Sequence, residues 1–114
     1  MSGKDKFSFG SDPKMREVPP GTEATFQFGG SPSLVETEWG EKYSFPIVLF
    51  SHDSYISFPI NLVWESKSMV AKEVYNAYHN ADGGPHGKAF KEAYKSSKWQ
   101  LTRFDNGAYF LDQI

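Results

Sequence analysis

The chain has 114 residues, close to the commonest domain size, which leaves room for one core and no second folded unit. It contains no cysteine, and that removes disulfides, thiolate chemistry and cysteine-based zinc sites together. The net charge of −2 and the pI near 5.9 lack the basic footprint that phosphate contact usually leaves, so they do not by themselves point to a nucleic-acid binder.

Ten Phe, six Tyr and three Trp sit mainly in short runs with Val, Ile and Thr, residue types that suit a half-buried pleated surface, so a β-rich core is expected. The longest apolar stretch, Phe45 to Phe50, is far too short to cross a bilayer, and the start of the chain lacks a basic-then-apolar signal. The expectation is a soluble protein of a reducing cytoplasm with no membrane partner. Charge is unevenly spread: Glu17, Glu23, Glu36, Glu38 and Glu41 fall in a stretch without Lys or Arg, whereas His86 to Arg103 carries Lys88, Lys91, Lys95, Lys98 and Arg103 against Glu92 alone. A dipolar surface can hold a polyanion on one side only.

In chain order, residues 1–20 are rich in Lys, Ser, Gly, Asp and Pro, with Phe7 and Phe9 as apolar anchors, and read as a flexible or loosely docked arm. Residues 21–114 form the expected domain. Thr22 to Phe28 alternates Ala24, Phe26 and Phe28 against Thr25 and Gln27, a strand pattern interrupted by Gly29-Gly30-Ser31-Pro32, as a strand serving both halves of a small barrel requires. Leu34 to Trp39 and Tyr43 to Phe50 flank Gly40-Glu41-Lys42 as a hairpin, and Tyr55 to Trp64 reads as the next strand, with Pro59 marking an edge or a bulge.

The period then changes to 3.6. Met69, Val70, Val74, Ala77 and Tyr78 share one face of a helix capped by Ser66 or Ser68, and Asn80 to Pro85 stops it. A second helical pattern turns Ala89, Phe90, Ala93 and Tyr94 inward. Trp99 to Phe104 and Ala108 to Ile114 flank Asp105-Asn106-Gly107, a strong hairpin signal. The resulting fold class is mainly β with a helical insertion: a five-stranded OB-fold barrel, its helices between strands three and four.

Val35 to Phe45 and Lys98 to Tyr109, with this strand order, resemble the first and last hairpins of the small OB-fold single-stranded DNA-binding proteins of archaea, phages and archaeal viruses. The resemblance implies sequence-tolerant binding of single-stranded DNA in replication, recombination or repair, on the outer face of the second and third strands and the adjoining loops. RNA is an open alternative ligand and a homo-oligomer an open assembly. An OB-type protein-interaction module is the competing expectation.

Such binding needs π-faces for bases and a few cations for phosphates. The first hairpin offers Trp39, Lys42 and Tyr43; Trp39 equally suits a lid on the barrel end, and Tyr43 shares parity with the core residues Phe45, Ile47 and Leu49. Alternation turns Ile56, Phe58 and Ile60 inward and Tyr55 outward, making Tyr55 a stacking candidate. Trp64 and Trp99 read as core. Arg103 ends a strand where its guanidinium can reach the barrel mouth, and Phe104 at the last hairpin tip is solvent-facing unless it packs on Phe7 or Phe9. Lys88, Lys91, Lys95 and Lys98 form a basic face that suits either a solvated surface or a secondary phosphate track. His52, His79 and His86 show no paired ligand spacing, and Gly83 to Lys88 lacks the Ser/Thr and the preceding strand of a phosphate loop, so no catalytic, metal or cofactor site is expected.

Overall fold

Period-two alternation governs the first half of the chain, and the strands follow it in the computed structural model, which describes residues 13–80 and 87–114. In β1, Thr22–Phe28, the side chains of Ala24, Phe26 and Phe28 are buried on one face. The chain then bends at Gly29-Gly30: Gly29 N donates to Pro46 O at 2.8 Å, and a Cβ at Gly30 would stand 3.2 Å from Pro46 Cγ. This close approach separates β1 from β2, Ser33–Thr37, so the five expected strands become six.

The 12-residue β3, Gly40–Ser51, organises the sheet. Its first half pairs with β2 and its second half with β1 along one edge, while β4, Ile60–Ser66, runs along the other, all antiparallel. β5, Lys98–Arg103, pairs with β1, and β6, Tyr109–Gln113, pairs with β5. The sheet does not close, because among the described residues β4 and β6 share no pairing.

Two sequence expectations are corrected here. The strand read from Tyr55 begins only at Ile60. Tyr55 packs against the core while Ile56 is 97% exposed and Phe58 also faces water, the reverse of the parity expected for a continuous strand. The cause is the turn after β3, where Ser54 N donates to Nδ1 of the buried His52 and Tyr55 N to His52 O, so the chain leaves the β ladder. The inward face of the first helix is also rotated. In α1, Met69–His79, the side chains of Ala71, Val74 and Tyr78 are buried whereas Met69 and Ala77 are exposed, because Ser68, accepting from Ala71 N, sets the first turn.

Aromatic packing joins the helices to the sheet. In α2, Gly87–Ser96, Tyr94 is fully buried and stacks on Phe28 with ring centroids 4.2 Å apart and planes 8° from parallel. Its hydroxyl donates to Gly30 O at 2.8 Å, fastening α2 to the bend after β1. Phe45 stacks on Trp64 at 4.9 Å, and Trp99 is buried, as expected for both tryptophans. Phe7, Phe9, residues 81–86 with His86 among them, and the Lys88 side chain lie outside the described residues.

The arm docks from Pro13 onward. Lys14 bridges Val63 in parallel: Met15 N donates to Val63 O at 2.7 Å and Val63 N to Pro13 O at 2.9 Å. Val18 is buried in the core, and residues 13–20 thus form a strap that meets the outer edge of β4 at Val63 and continues past His52 and Tyr55 to Arg103 of β5.

Burial and the neighbouring Tyr78 hold the Tyr94 phenol well above its ordinary value of 10.0. The unfolded chain ionises this phenol first, so the stability it contributes is present below about pH 10 and lost as pH rises beyond it. Urea midpoints are expected to fall between about pH 8 and about pH 11. In Tyr94→Phe the fall is shallower, from a plateau lowered by about 1 kcal/mol for the lost hydrogen bond.

Candidate nucleic-acid interface

An open seam between two strands leaves backbone and side-chain groups facing one another across a gap. A cleft of ≈ 310 Å³ occupies this seam, walled by the strap, the end of β4, the start of α1 and the β5–β6 hairpin. Four cations line it, Arg16, Lys42, Lys67 and Arg103, against two carboxylates, Glu17 and Glu65. Lys14 Nζ lies 3.3 Å from the buried Oε1 of Glu65, an ion pair by distance although not aligned as a hydrogen bond. The lining is therefore cationic in a protein whose net charge is negative.

Each cation is positioned by a different element. Lys42 extends from the outer face of β3, paired with Val35 of β2. Lys67, in the link from β4 to α1, donates through Nζ to the carbonyl of Trp39. Arg16 lies over the Tyr55 ring, 5.7 Å from its centroid, and its backbone N donates to the Tyr55 hydroxyl at 3.0 Å. His52 Nδ1 accepts from Ser54 N, so Nε2 carries the proton and donates to Arg16 O at 3.0 Å. Tyr55 and His52 thus hold the strap that forms one wall of the cleft.

Arg103 is the most constrained of the four. Nη1 donates to Val18 O at 3.1 Å and to Glu17 Oε1 at 3.3 Å, Nε donates to Gly107 O at 3.4 Å, and the guanidinium sits 5.2 Å from the Tyr109 ring centroid. Gly107 adopts φ +91°, a conformation that favours glycine, and Asn106 Oδ1 accepts from Ala108 N, so the Asn-Gly turn itself aims the carbonyl. Burial lifts the Tyr109 phenol above its ordinary value, with the Arg103 charge opposing that shift and the Glu17 carboxylate adding to it. The ring facing Arg103 is a neutral π-face.

Trp39 stands beside this cleft in the two-residue turn between Thr37 and Gly40, with 75% of its surface exposed. Thr37 Oγ1 accepts from Trp39 N, and Gly40 at φ +107° completes the turn, where a Cβ would come within 3.2 Å of Lys67 Nζ. The sequence placed Trp39 at a strand end, and the turn instead projects it. Glu36, directly opposite Glu41, and Glu38 surround it with exposed carboxylates.

Of the six residues singled out in the sequence, Lys42 and Arg103 line this cleft, and Trp39 is joined to it by the bond from Lys67 Nζ to its carbonyl. The other three do neither. Tyr43 packs on Tyr75 of α1 with centroids 5.1 Å apart, Tyr55 supports the strap, and Phe104 is half-exposed at the β5–β6 tip. Lys67, Arg16 and Tyr109 were not picked out from the sequence; Lys67 directly precedes the helix-capping Ser68, and no local signal marks the other two. The basic face of α2 and β5 is partly engaged elsewhere, Lys91 over Tyr78 at 5.1 Å and Lys98 over Phe50 at 4.5 Å.

No protein-family model, curated protein or solved structure matches this chain.

An exposed turn tryptophan contributes little to folding. Trp39→Ala is expected to move the urea midpoint by less than about 0.5 kcal/mol in stability, whereas Val18→Ala, which unpacks the strap, lowers it by about 1–2 kcal/mol.

Proposed function

We propose that this chain binds single-stranded DNA without reading its sequence, passing the phosphates along the seam cleft and stacking a base on Trp39. The observation that carries this reading is the convergence of Lys42, Lys67 and Arg103 on a cleft whose lip holds an exposed tryptophan by its own backbone carbonyl. Cations at the floor and a π-face at the rim are what an unpaired strand needs, whereas a duplex offers no open base to stack.

The strand pairing supports an OB-type reading of the fold. The order β4-β3-β1-β5-β6, with two helices between β4 and β5, is the OB order once β1 and β2 are taken as one bent strand. In that reading the strap spans the seam where the barrel would otherwise close. A protein of this kind covers strands exposed during replication, recombination or repair, and RNA presents the same phosphates and bases.

Magnitudes favour the strand despite the acidic surroundings of Trp39. Stacking contributes about 1–3 kcal/mol per base, while exposed carboxylates are screened over about 8 Å at physiological ionic strength. The carboxylates around Trp39 do favour one second reading, a protein-interaction module that docks a basic partner chain on this hairpin.

Oligo-dT is expected to quench tryptophan fluorescence, and Trp39→Phe removes most of that quenching because Trp64 and Trp99 are buried. Trp39→Ala weakens binding by roughly 5-fold or more. Neutralising three or four phosphates on the cleft cations gives a log–log salt slope of about −2 to −3. An unchanged signal with oligo-dT at low salt, together with self-association, would instead favour the protein-interaction module. Titrations with RNA and duplex DNA establish which polymer is preferred.

A further inference from the structure

Arg103 is the most tethered cation of the cleft, and one of its partners differs in kind from the rest. Val18 O and Gly107 O are neutral acceptors, and the Tyr109 ring is a neutral face. These three fix the guanidinium without cancelling its charge. Glu17 is the only charged partner of Arg103 among the described residues. Its side chain is 83% exposed, against 20% for Arg103, and its 3.3 Å contact is long for a charge-assisted hydrogen bond.

We propose that Glu17 is a built-in competitor for Arg103, occupying the edge of the guanidinium that a strand phosphate takes, and thereby lowers the affinity of the cleft for the strand. The proposal rests on the reading of the cleft as a nucleic-acid site. The geometry separates the moving part from the fixed parts. Val18 is buried, and the carbonyl of Arg16 is held by His52, so the backbone on both sides of Glu17 is anchored while its carboxylate is free to swing into water. When it leaves, Arg103 keeps its place through Val18 O and Gly107 O.

This exchange costs every anion that uses Arg103 the same amount. An isolated phosphate that displaces Glu17 replaces one exposed ion pair with another and gains little, since such pairs are weak. A strand meets Lys42, Lys67 and Arg16 as well, and it displaces Glu17 only once for several phosphate contacts. Displacing Glu17 therefore costs a single phosphate and a strand the same factor, which nearly cancels the small gain of the phosphate and only trims that of the strand.

The experiment is a mutant cycle read by fluorescence titration with oligo-dT, and separately with inorganic phosphate as competitor. Glu17→Gln is expected to tighten oligo-dT binding about three- to fivefold, and to tighten inorganic phosphate, its competition corrected for the new oligo-dT affinity, by the same factor. In an Arg103→Met background the same change has no effect. Glu23→Gln, which also removes one exposed carboxylate but one bonded to Gln100 on the sheet, changes affinity by less than about twofold. If Arg103→Met does not fold, the Arg103 Nε–H resonance provides the second measurement: it shifts on Glu17→Gln and shifts again on adding oligo-dT.

No gain with Glu17→Gln, or a gain that persists without Arg103, overturns the competitor role while leaving oligo-dT binding itself intact. If neither the unaltered chain nor Glu17→Gln binds oligo-dT, the nucleic-acid reading falls and the competitor falls with it. Binding by Glu17→Gln alone is the strongest support.

Discussion

Two backbone hydrogen bonds at Val63, one accepted from Met15 N and one donated to Pro13 O, hold the strap on the edge of β4, and the rest of the molecule is arranged around them. A sheet edge presents unpaired N–H and C=O groups that need partners. β6 does not supply them, so the strap does. A segment of a few residues bridges less of the seam than a full strand, and the remaining space is the cationic cleft. The same residues that satisfy the edge bring Arg16 and Glu17 to the cleft wall and set Val18 against the core.

The aromatic core explains which rings remain outside. Phe28, Tyr94 and Trp99 fill the space between the sheet and α2, and Phe45 with Trp64 fills the space beneath β3 and β4. Tyr43 is drawn inward by Tyr75, and Tyr55 is committed to the strap. Trp39 alone among the tryptophans is exposed, because the turn that carries it projects past the end of β4. Lys67 fixes the backbone of that turn and leaves the indole in water.

Electrostatics follow the same division. The acidic stretch from Glu17 to Glu41 supplies both the partner of Arg103 and the carboxylates around Trp39, while the cleft cations come from four separated parts of the chain: the strap, β3, the β4–α1 link and the end of β5. A net charge of −2 conceals this local excess of positive charge. Composition averages over a surface, whereas an anion responds to the few charges within a Debye length.

Local chemistry was enough to read several elements from the sequence. Alternation located β1 and β3, the Asn106-Gly107 turn located the last hairpin, Ser68 was one of two caps named for α1, and Trp64 and Trp99 were recognisable as core. These features depend on neighbours a few residues away. Other features were settled only when distant segments met. His52 and Tyr55 became anchors for the strap, so the run after Ser51 did not continue as a strand; Lys42, Lys67 and Arg103 came together although they are far apart in the chain; and the end of the arm became a cleft wall. Periodicity reports which face of an element is apolar, but it carries no information about which backbone will satisfy an open edge. That choice is made by tertiary packing, and the candidate site is its consequence.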